Sequence, residues 1–144
     1  MQHAFKYVKA KGISSETAYP YVGEDAPCTR NASNTVFKIK GFQTVPNDDE
    51  SLKRAIATVG PISIGMQATA NLQHYKGGIL SDSSCVNYVG TINHGVLAVG
   101  YGTENDKDFW IVKNSWGLSW GEDGYFRIQR NTCCITCDSN FPTI

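Results

Sequence analysis

The sequence lacks any hydrophobic run long enough to cross a bilayer, and neither sign of charge is in excess. Lys and Arg together count 13, as do Asp and Glu. No cluster of basic residues stands out along the chain. Proteins that bind nucleic acid or an anionic membrane surface carry such clusters. We therefore expect neither nucleic acid nor a membrane as a partner.

Targeting, repetitive and linker segments are also lacking. The chain opens with an amphipathic pattern from Met1 to Phe5, where a signal peptide would have an apolar core. For an extracellular type of protein this absence is unexpected, and it indicates that Met1 is not the natural N-terminus. The 144 residues are 41% hydrophobic and 18% charged, a globular composition that fits one domain or a piece of a larger one.

Cysteine, in contrast, is well represented. The five cysteines are Cys28, Cys85, Cys133, Cys134 and Cys137. They lie in turn-like surroundings, which favours disulfides and an oxidising compartment. Asn31-Ala32-Ser33 is a glycosylation acceptor triplet, which agrees with that compartment. An odd count leaves one thiol free or paired outside the chain, and we favour pairing outside.

Two helices are predicted. The first covers residues 1–11, with a plausible C-cap at Gly12, and its apolar face needs a partner. A long polar loop, 14–34, follows and is pinned at Cys28. The second helix begins at Asn47 with Glu50 as its capping partner and ends at Gly60-Pro61. Its predicted apolar face consists of Leu52, Ala55, Ile56 and Val59.

The remaining apolar runs predict five or six antiparallel strands. These runs are 36–42 with a bend at Gly41, 62–68, 77–80, 94–101, 109–112 and 125–129. The fold class is therefore α+β. No spacing of ligand residues calls for a metal, and we expect no cofactor.

The residues that carry chemistry stand at the ends of two of these strands. His94 alone would most often be an inert core histidine, and Asn114 alone a turn residue. Trp116 and Trp120 alone would be packing anchors on a glycine-rich loop. As a set they fit a thiol-activating site, because a thiol nucleophile needs an imidazole base and the imidazole needs a third group to orient its ring.

Asn93-His94-Gly95 and Asn114-Ser115-Trp116-Gly117 together resemble the His and Asn arms of the papain-like cysteine proteases. Further segments resemble the cathepsin L-type branch in family order: Met1 to Phe5, Ser15 to Tyr21, Cys28, Gly60 to Ser63, Tyr75 to Ile79 and Phe141 to Thr143. The resemblance covers essentially the whole chain. It implies a papain-like fold in which 1–40 is a remnant of the helical left domain. Residues 41–144 would form the right domain, antiparallel β and barrel-like with one helix.

The resemblance also implies roles for single residues. His94 would be the catalytic imidazole, Asn114 its orienting partner and Trp116 the shielding ring, supported by Ser115 and Trp120. Protein or peptide substrates, propeptide-like or cystatin-like inhibitors and a lysosomal or secreted location would follow.

The family pattern implies a disulfide between Cys85 and Cys133. It also implies a Cys28 whose partner lies in a missing N-terminal segment. Cys134 and Cys137 depart from the pattern, which has small residues at both positions. A second disulfide, a slip of pairing with Cys133, one exposed thiol, and a redox or metal role for the C-x-x-C motif all stay open.

Four positions fall where the family lines its S2 substrate pocket: Met1, Gly65, Ile92 and Asp138. An acidic residue at the pocket floor admits a basic P2 side chain, so we expect Arg to be accepted as well as Leu or Phe. The alternative is that Asp138 turns outward to solvent.

The nucleophile of the resembled family is missing. Its Gln-x-x-x-Cys-Gly-Ser-Cys-Trp-like stretch has no counterpart here. We therefore expect an N-terminally truncated cysteine endopeptidase, of which this chain carries only His and Asn and which hydrolyses nothing alone. The alternative is a non-catalytic pseudoenzyme, binding module or structural relative that begins naturally at Met1.

Overall fold

A computed structural model describes all 144 residues, Met1–Ile144, and divides them into two compact units. The first unit holds Met1 and Thr44–Phe141, and the second holds Gln2–Gln43 and Pro142–Ile144. The helices are α1 (Gln2–Lys11), α2 (Asp49–Thr58) and α3 (Ala70–Gln73). The strands are β1 (Ile13–Ser14), β2 (Thr35–Phe37), β3 (Gly41–Thr44), β4 (Ile62–Met66), β5 (Ile79–Leu80), β6 (His94–Glu104), β7 (Lys107–Lys113), β8 (Tyr125–Gln129) and β9 (Asp138–Thr143).

In the second unit, α1 confirms the predicted first helix. It ends at Lys11, and Gly12 follows it as the expected C-cap. The Gly12 amide donates to the Val8 carbonyl at 2.8 Å, and its φ of +77° is a left-handed conformation that favours glycine. A Cβ there would also lie 2.3 Å from the Thr35 methyl group. No residue of α1 is buried, although Phe5 stacks on Phe42 with 5.6 Å between ring centroids.

The predicted strand 36–42 is wrong. The chain forms β2 instead, which pairs antiparallel with β1, and then leaves the strand conformation at Lys38. It turns the Ile39 side chain into the interior before starting β3 at Gly41, where a bend was expected. Burial of one isoleucine therefore interrupts what the apolar pattern alone presents as a continuous run.

A mixed sheet supports the first unit. Its strand order is β3-β9-β4-β6-β7-β8-β5. The pairs of β6 with β4 and β7, and of β7 with β8, are antiparallel as expected, but β5 runs parallel to β8. The buried face of the sheet and α2 enclose the core, which includes Leu52, Ile62, Ile64, Met66, Ala98, Trp110, Val112, Phe126 and Ile128.

The second helix is confirmed, but two details of its prediction are wrong. Asp48, not Asn47, is the N-cap, since its carboxylate accepts from the Ser51 amide at 2.7 Å. Asn47 instead accepts from the Thr136 hydroxyl at 2.6 Å. Val59 is 50% exposed, because the helix ends at Thr58 and Val59 is already its C-cap.

The elements α3 and β9 were not predicted. Thr69 caps α3 through its side chain, and the helix is too short to show periodicity. β9 contains Asn140 and Pro142, neither typical of strands, yet it pairs antiparallel with β4. None of the three helices has the length and apolar character needed to cross a membrane.

Candidate active site

His94 and Asn114 lie at adjacent ends of two neighbouring interior strands of the sheet. His94 is the first residue of β6, and Asn114 directly follows the last residue of β7. These strands are antiparallel neighbours, with Leu97 opposite Lys113, so the start of one and the end of the other coincide. The fold therefore brings together two side chains that lie 20 residues apart in sequence.

The hydrogen bonds of Asn114 decide how the imidazole is held. His94 Nε2 lies 2.9 Å from Asn114 Oδ1, which also accepts from the Ser115 amide at 2.8 Å. Since a backbone amide can only donate, this atom is the amide oxygen, and Nε2 must carry the hydrogen. In neutral His94 the lone pair is then on Nδ1, the nitrogen that can accept a proton from an acid.

An aromatic stack covers this pair. The Trp116 ring lies over the His94 ring, with 4.9 Å between centroids and 29° between planes. Trp120 meets Trp116 edge-on at 5.0 Å and donates its indole hydrogen to the Gln73 carbonyl at 3.2 Å. Asn114 is only 9% exposed. Because the rings and the sheet limit access of water, the hydrogen bond between imidazole and amide lies in a medium less polar than bulk solvent.

The loop that carries the tryptophans is anchored by groups that the sequence did not single out. Glu122 binds the Arg127 guanidinium at 2.9 Å and accepts from the Gly78 amide, also at 2.9 Å. The hydrogen bond from Arg127 lowers the pKa of Glu122 below its ordinary value. Gly121 has φ +61°, and a Cβ there would lie 2.5 Å from the Tyr125 carbonyl oxygen. A lone Glu on a loop and a lone Arg on a strand carry no signal that sequence reasoning could have used.

The four residues predicted to line S2 come together in the first unit. Gly65 of β4 lies opposite Asp138 of β9, and a Cβ on Gly65 would approach the Ile92 side chain to 2.9 Å. The Met1 ammonium donates to the Asp138 carboxylate at 3.0 Å, and both side chains are about one quarter exposed. Asp138 is thus half-buried.

A groove of about 320 Å³ runs beside both groups. Its lining includes Met1 from the predicted pocket and Asn114 with Ser115 from the His-Asn site. The other lining residues are Ser63, Gly95, Val96, Leu97 and Lys113. Met1 packs closely on the β6 backbone beside this groove, since a Cβ on Gly95 would lie 2.8 Å from the Met1 methyl group.

The five cysteines form two disulfides and leave one free thiol. Cys85 is bonded to Cys133, the pair that the resemblance implies, and Cys134 is bonded to Cys137. Cys28 is the one free thiol, exposed on the second unit. The first unit therefore holds an imidazole and an orienting amide, but no thiol.

Comparison with known proteins identifies the family of this chain. Residues 1–143 match the family described as papain family cysteine protease. The chain belongs to the papain family of cysteine proteases. Mouse cathepsin K is 45% identical to this papain-family chain over 148 residues, and mouse cathepsin S is 41% identical over 150 residues.

Solved structures give the same result for the fold. Digestive procathepsin L 3 of Tenebrio molitor larval midgut superposes with a TM-score of 0.93 at 41% identity, covering all of this chain and 48% of that one. The bromelain protease of Ananas comosus, in complex with the E64 inhibitor, gives 0.87 at 38% identity and covers 99% and 68%. The predicted papain-like α+β fold is thus confirmed.

The aligned region covers nearly all of this chain but less than half of each curated relative. It takes in 99% of this papain-family chain but 44% of mouse cathepsin K, and 100% of this chain but 43% of mouse cathepsin S. The chain therefore spans less than half the length of these relatives.

Proposed function

We propose that the full-length protein containing this chain is a cathepsin L-type cysteine endopeptidase. The observation that carries the proposal is the hydrogen bond between His94 Nε2 and Asn114 Oδ1, since the second donor to that oxygen leaves Nδ1 as the basic nitrogen. An imidazole held in this orientation and covered by the Trp116 ring can act as the base that activates a thiol. The family membership supports the same reaction class.

In the proposed mechanism, His94 accepts the proton of a cysteine thiol that this chain does not supply. The thiolate attacks the carbonyl carbon of a peptide bond, and His94 then returns the proton to the leaving amine. Water hydrolyses the acyl-enzyme with His94 again as base. Asn114 keeps the ring in its tautomer throughout, and Ser115 and Trp120 support Asn114 and Trp116. The 144 residues alone supply the base, His94, and its orienting residue, Asn114, but no nucleophile. We therefore expect them to be inactive.

We further propose that Met1, Gly65, Ile92 and Asp138 line the S2 pocket and that Asp138 admits a basic P2 side chain. Asp138 lies opposite Gly65 in the strand ladder, and its side chain is 27% exposed. Gly65 places no side chain between Ile92 and Asp138, since a Cβ there would lie 2.9 Å from the Ile92 side chain and 3.5 Å from the Asp138 carboxylate.

The remaining parts of the proposal concern domains, partners and location. Residues 1–40 and 41–144 are assigned to the left and right domains of the papain fold. Procathepsin structures among the relatives support peptide substrates and a propeptide, and digestive proteinases among them support a lysosomal or secreted location. Oxidised cysteine pairs and the Asn31 acceptor triplet are consistent with that location. The Asn31 side chain is exposed and accepts from the Ser33 hydroxyl at 2.8 Å.

Replacing His94 tests the proposed reaction. In the full-length protein, His94→Ala should lower kcat/KM for peptide hydrolysis by about 10²- to 10⁴-fold, the usual contribution of a general base. His74→Ala, an exposed histidine that caps α3, serves as the matched control and should leave kcat/KM unchanged. Peptide hydrolysis that survives in His94→Ala, or its absence from the unaltered protein, would favour the binding or structural alternative.

Replacing Asp138 tests the proposed specificity. Asp138→Asn keeps the size of the side chain and removes its charge, so kcat/KM for an Arg at P2 should fall relative to Leu by about two- to fivefold, as for a partly exposed charge pair. Asp123→Asn, an exposed carboxylate-to-amide change in the tryptophan loop, is the control. An unchanged Arg-to-Leu ratio in Asp138→Asn would place Asp138 outside the pocket.

A further inference from the structure

The turn that leads into β9 is closed by a short disulfide next to Asp138. Cys134 is bonded to Cys137, three positions on, and the Cys137 amide donates to the Cys134 carbonyl at 3.0 Å. Asp138 follows at once as the first residue of β9. We propose that this disulfide is a reducible clip that positions the Asp138 carboxylate, so that a small thiol controls the preference of the proposed S2 pocket for a basic side chain. The selectivity part of this inference rests on the proposed function.

The Asp138 carboxylate accepts from the Asn140 amide group at 2.6 Å, but the Asp138 backbone lies at the end of its ladder. β9 pairs with β4 through Ser63–Asn140, Ile64–Ser139 and finally Gly65–Asp138. The terminal pair of a ladder opens most easily, since it is held from one side only. On the other side, Asp138 is joined directly to the clip. Release of the clip therefore acts first on this residue.

The backbone conformation of the turn also indicates that the turn depends on the bond between Cys134 and Cys137. Cys133 and Cys134 both have positive φ, +53° and +59°, which is unfavourable for residues other than glycine. Cys133 is held by its bond to Cys85, and Cys134 is held by its bond to Cys137 and by donating its amide to the Asn87 side chain at 3.0 Å. Without the second bond, Cys134 loses a covalent restraint on a conformation that it disfavours.

A small thiol can reach one sulfur of the clip. Cys134 is 1% exposed, whereas Cys137 is half-buried and lines a polar cavity of about 190 Å³. The cavity is also lined by Asn47, Asp49, Asn87, Asn131, Thr132, Ile135 and Thr136. Exposure alone does not separate the two disulfides, because Cys85 is half-buried too. Access from this cavity does, because Cys137 lines it and Cys85 does not.

Reduction of the clip by thiol–disulfide exchange proceeds in two steps. The thiolate of a small thiol such as reduced glutathione attacks Cys137 Sγ and forms a mixed disulfide, while the bond to Cys134 breaks. The electron pair of that bond stays on Cys134 Sγ, which takes up a proton. A second thiolate then attacks the sulfur of the bound thiol, releasing Cys137 as a thiol and the reagent as its disulfide.

The first experiment titrates the full-length protein with reduced glutathione and maps free thiols by alkylation and mass spectrometry. Cys134 and Cys137 should become labelled before Cys85 and Cys133. Backbone hydrogen exchange, read at the same concentrations, should accelerate at residues 138–140 and stay unchanged in β6 and β7. Equal exchange at 138–140 in the clipped and reduced protein would overturn the inference, as would simultaneous reduction of both disulfides. These readouts need no protease activity.

The second experiment measures selectivity. Reduction of the clip should lower the Arg-to-Leu ratio of kcat/KM at P2 by about two- to fivefold, the range expected for a partly exposed charge pair. In Asp138→Asn, reduction should have no further effect on the ratio. A fall of the same size in Asp138→Asn would show that the clip does not act through this carboxylate. Absence of peptide hydrolysis in the unaltered protein would refute the proposed function, and the exchange data would still decide on the clip.

Two variants separate positioning from general damage. Cys134→Ser with Cys137→Ser should reproduce the reduced state without any reagent. Cys134→Gly with Cys137→Ser also lacks the disulfide, but glycine adopts φ near +59° without strain. It should therefore restore both slow exchange at 138–140 and the Arg preference, and respond to no thiol. If the glycine variant behaves like the serine variant, the positioning role is wrong.

Discussion

At the scale of single residues, Asp82 shows how a buried carboxylate is kept ionised. It is 4% exposed and accepts hydrogen bonds from the Thr69 hydroxyl, the Asn71 amide group and both the amide and hydroxyl of Ser84. Burial alone raises the pKa of Asp82, but the bonds from Ser84, Thr69 and Asn71 outweigh it and lower the pKa to about 2. The carboxylate thereby ties the N-terminus of α3 to the loop that precedes Cys85.

We predict that Asp82 contributes to stability only where it is ionised. Its pKa is lower in the folded than in the unfolded protein, so its contribution is present above about pH 4 and is lost as the pH falls toward 2. The gap between the ordinary value of 3.8 and about 2 corresponds to about 2 kcal/mol. Asp82→Asn should therefore lower the free energy of unfolding in urea by about 2 kcal/mol at pH 7, and by much less at pH 2.

The control for Asp82 is Asp25→Asn, an exposed carboxylate changed in the same way. It should leave the urea midpoint unchanged at both pH values. A loss in Asp82→Asn that is equally large at pH 2 and pH 7 would contradict the prediction, because it would come from the shape of the side chain and not from its charge.

The candidate site shows at this scale what a sequence can and cannot supply. His94 and Asn114 could be named in advance because each follows or begins an apolar run and because their neighbours resemble a known family. The orientation of the ring could not, because it depends on Ser115, whose backbone amide fixes the oxygen of Asn114. A backbone amide is present at every residue but proline, and only the fold decides which one points at the site.

At the scale of elements, the tryptophan loop depends on one ion pair at its base. Arg127 of β8 binds Glu122 at 2.9 Å and Glu104, the last residue of β6, at 2.6 Å. The two acids differ in environment, since the Glu122 side chain is 33% exposed and that of Glu104 is 53% exposed. Only Glu122 also accepts from the Gly78 amide, next to β5. Glu122 therefore joins the loop to both strands at this edge of the sheet.

We predict that Glu122→Gln destabilises the protein by about 1 kcal/mol, because it weakens a partly buried ion pair and its hydrogen bonds. Glu104→Gln removes the more exposed partner of the same guanidinium and should cost well under half as much. Urea unfolding of both variants at neutral pH measures the difference. An equal loss in the two variants would mean that Glu122 acts only as a surface charge.

The elements differ in how far the sequence predicted them. α1, α2, β4, β6, β7 and β8 were expected because each has a period or an apolar run that its neighbours do not interrupt. β9 was missed because its core contacts come from Ser139 and Asn140, which are buried polar residues held by pairing with β4. Strand 36–42 was wrong for the opposite reason, since Ile39 gains more by burial than by continuing the strand.

At the scale of the whole molecule, the two disulfides restrain the chain to different degrees. The bond between Cys85 and Cys133 joins residues 48 apart and links the loop after Asp82 to the turn before β9. The bond between Cys134 and Cys137 joins residues 3 apart within that turn. A disulfide stabilises mainly by reducing the freedom of the unfolded chain, and this effect grows with the logarithm of loop length.

Removing each disulfide by paired Cys→Ser changes should therefore cost unequal amounts of stability. We predict a loss of about 4 kcal/mol in the free energy of unfolding for Cys85 with Cys133, and about 2 kcal/mol for Cys134 with Cys137. Urea unfolding of the oxidised protein and of both paired variants measures the two losses. A larger loss from Cys134 with Cys137 would mean that the turn before β9 holds the whole first unit together. The clip could then not be opened without unfolding the sheet, because the strands that carry His94 and Asp138 would open with it.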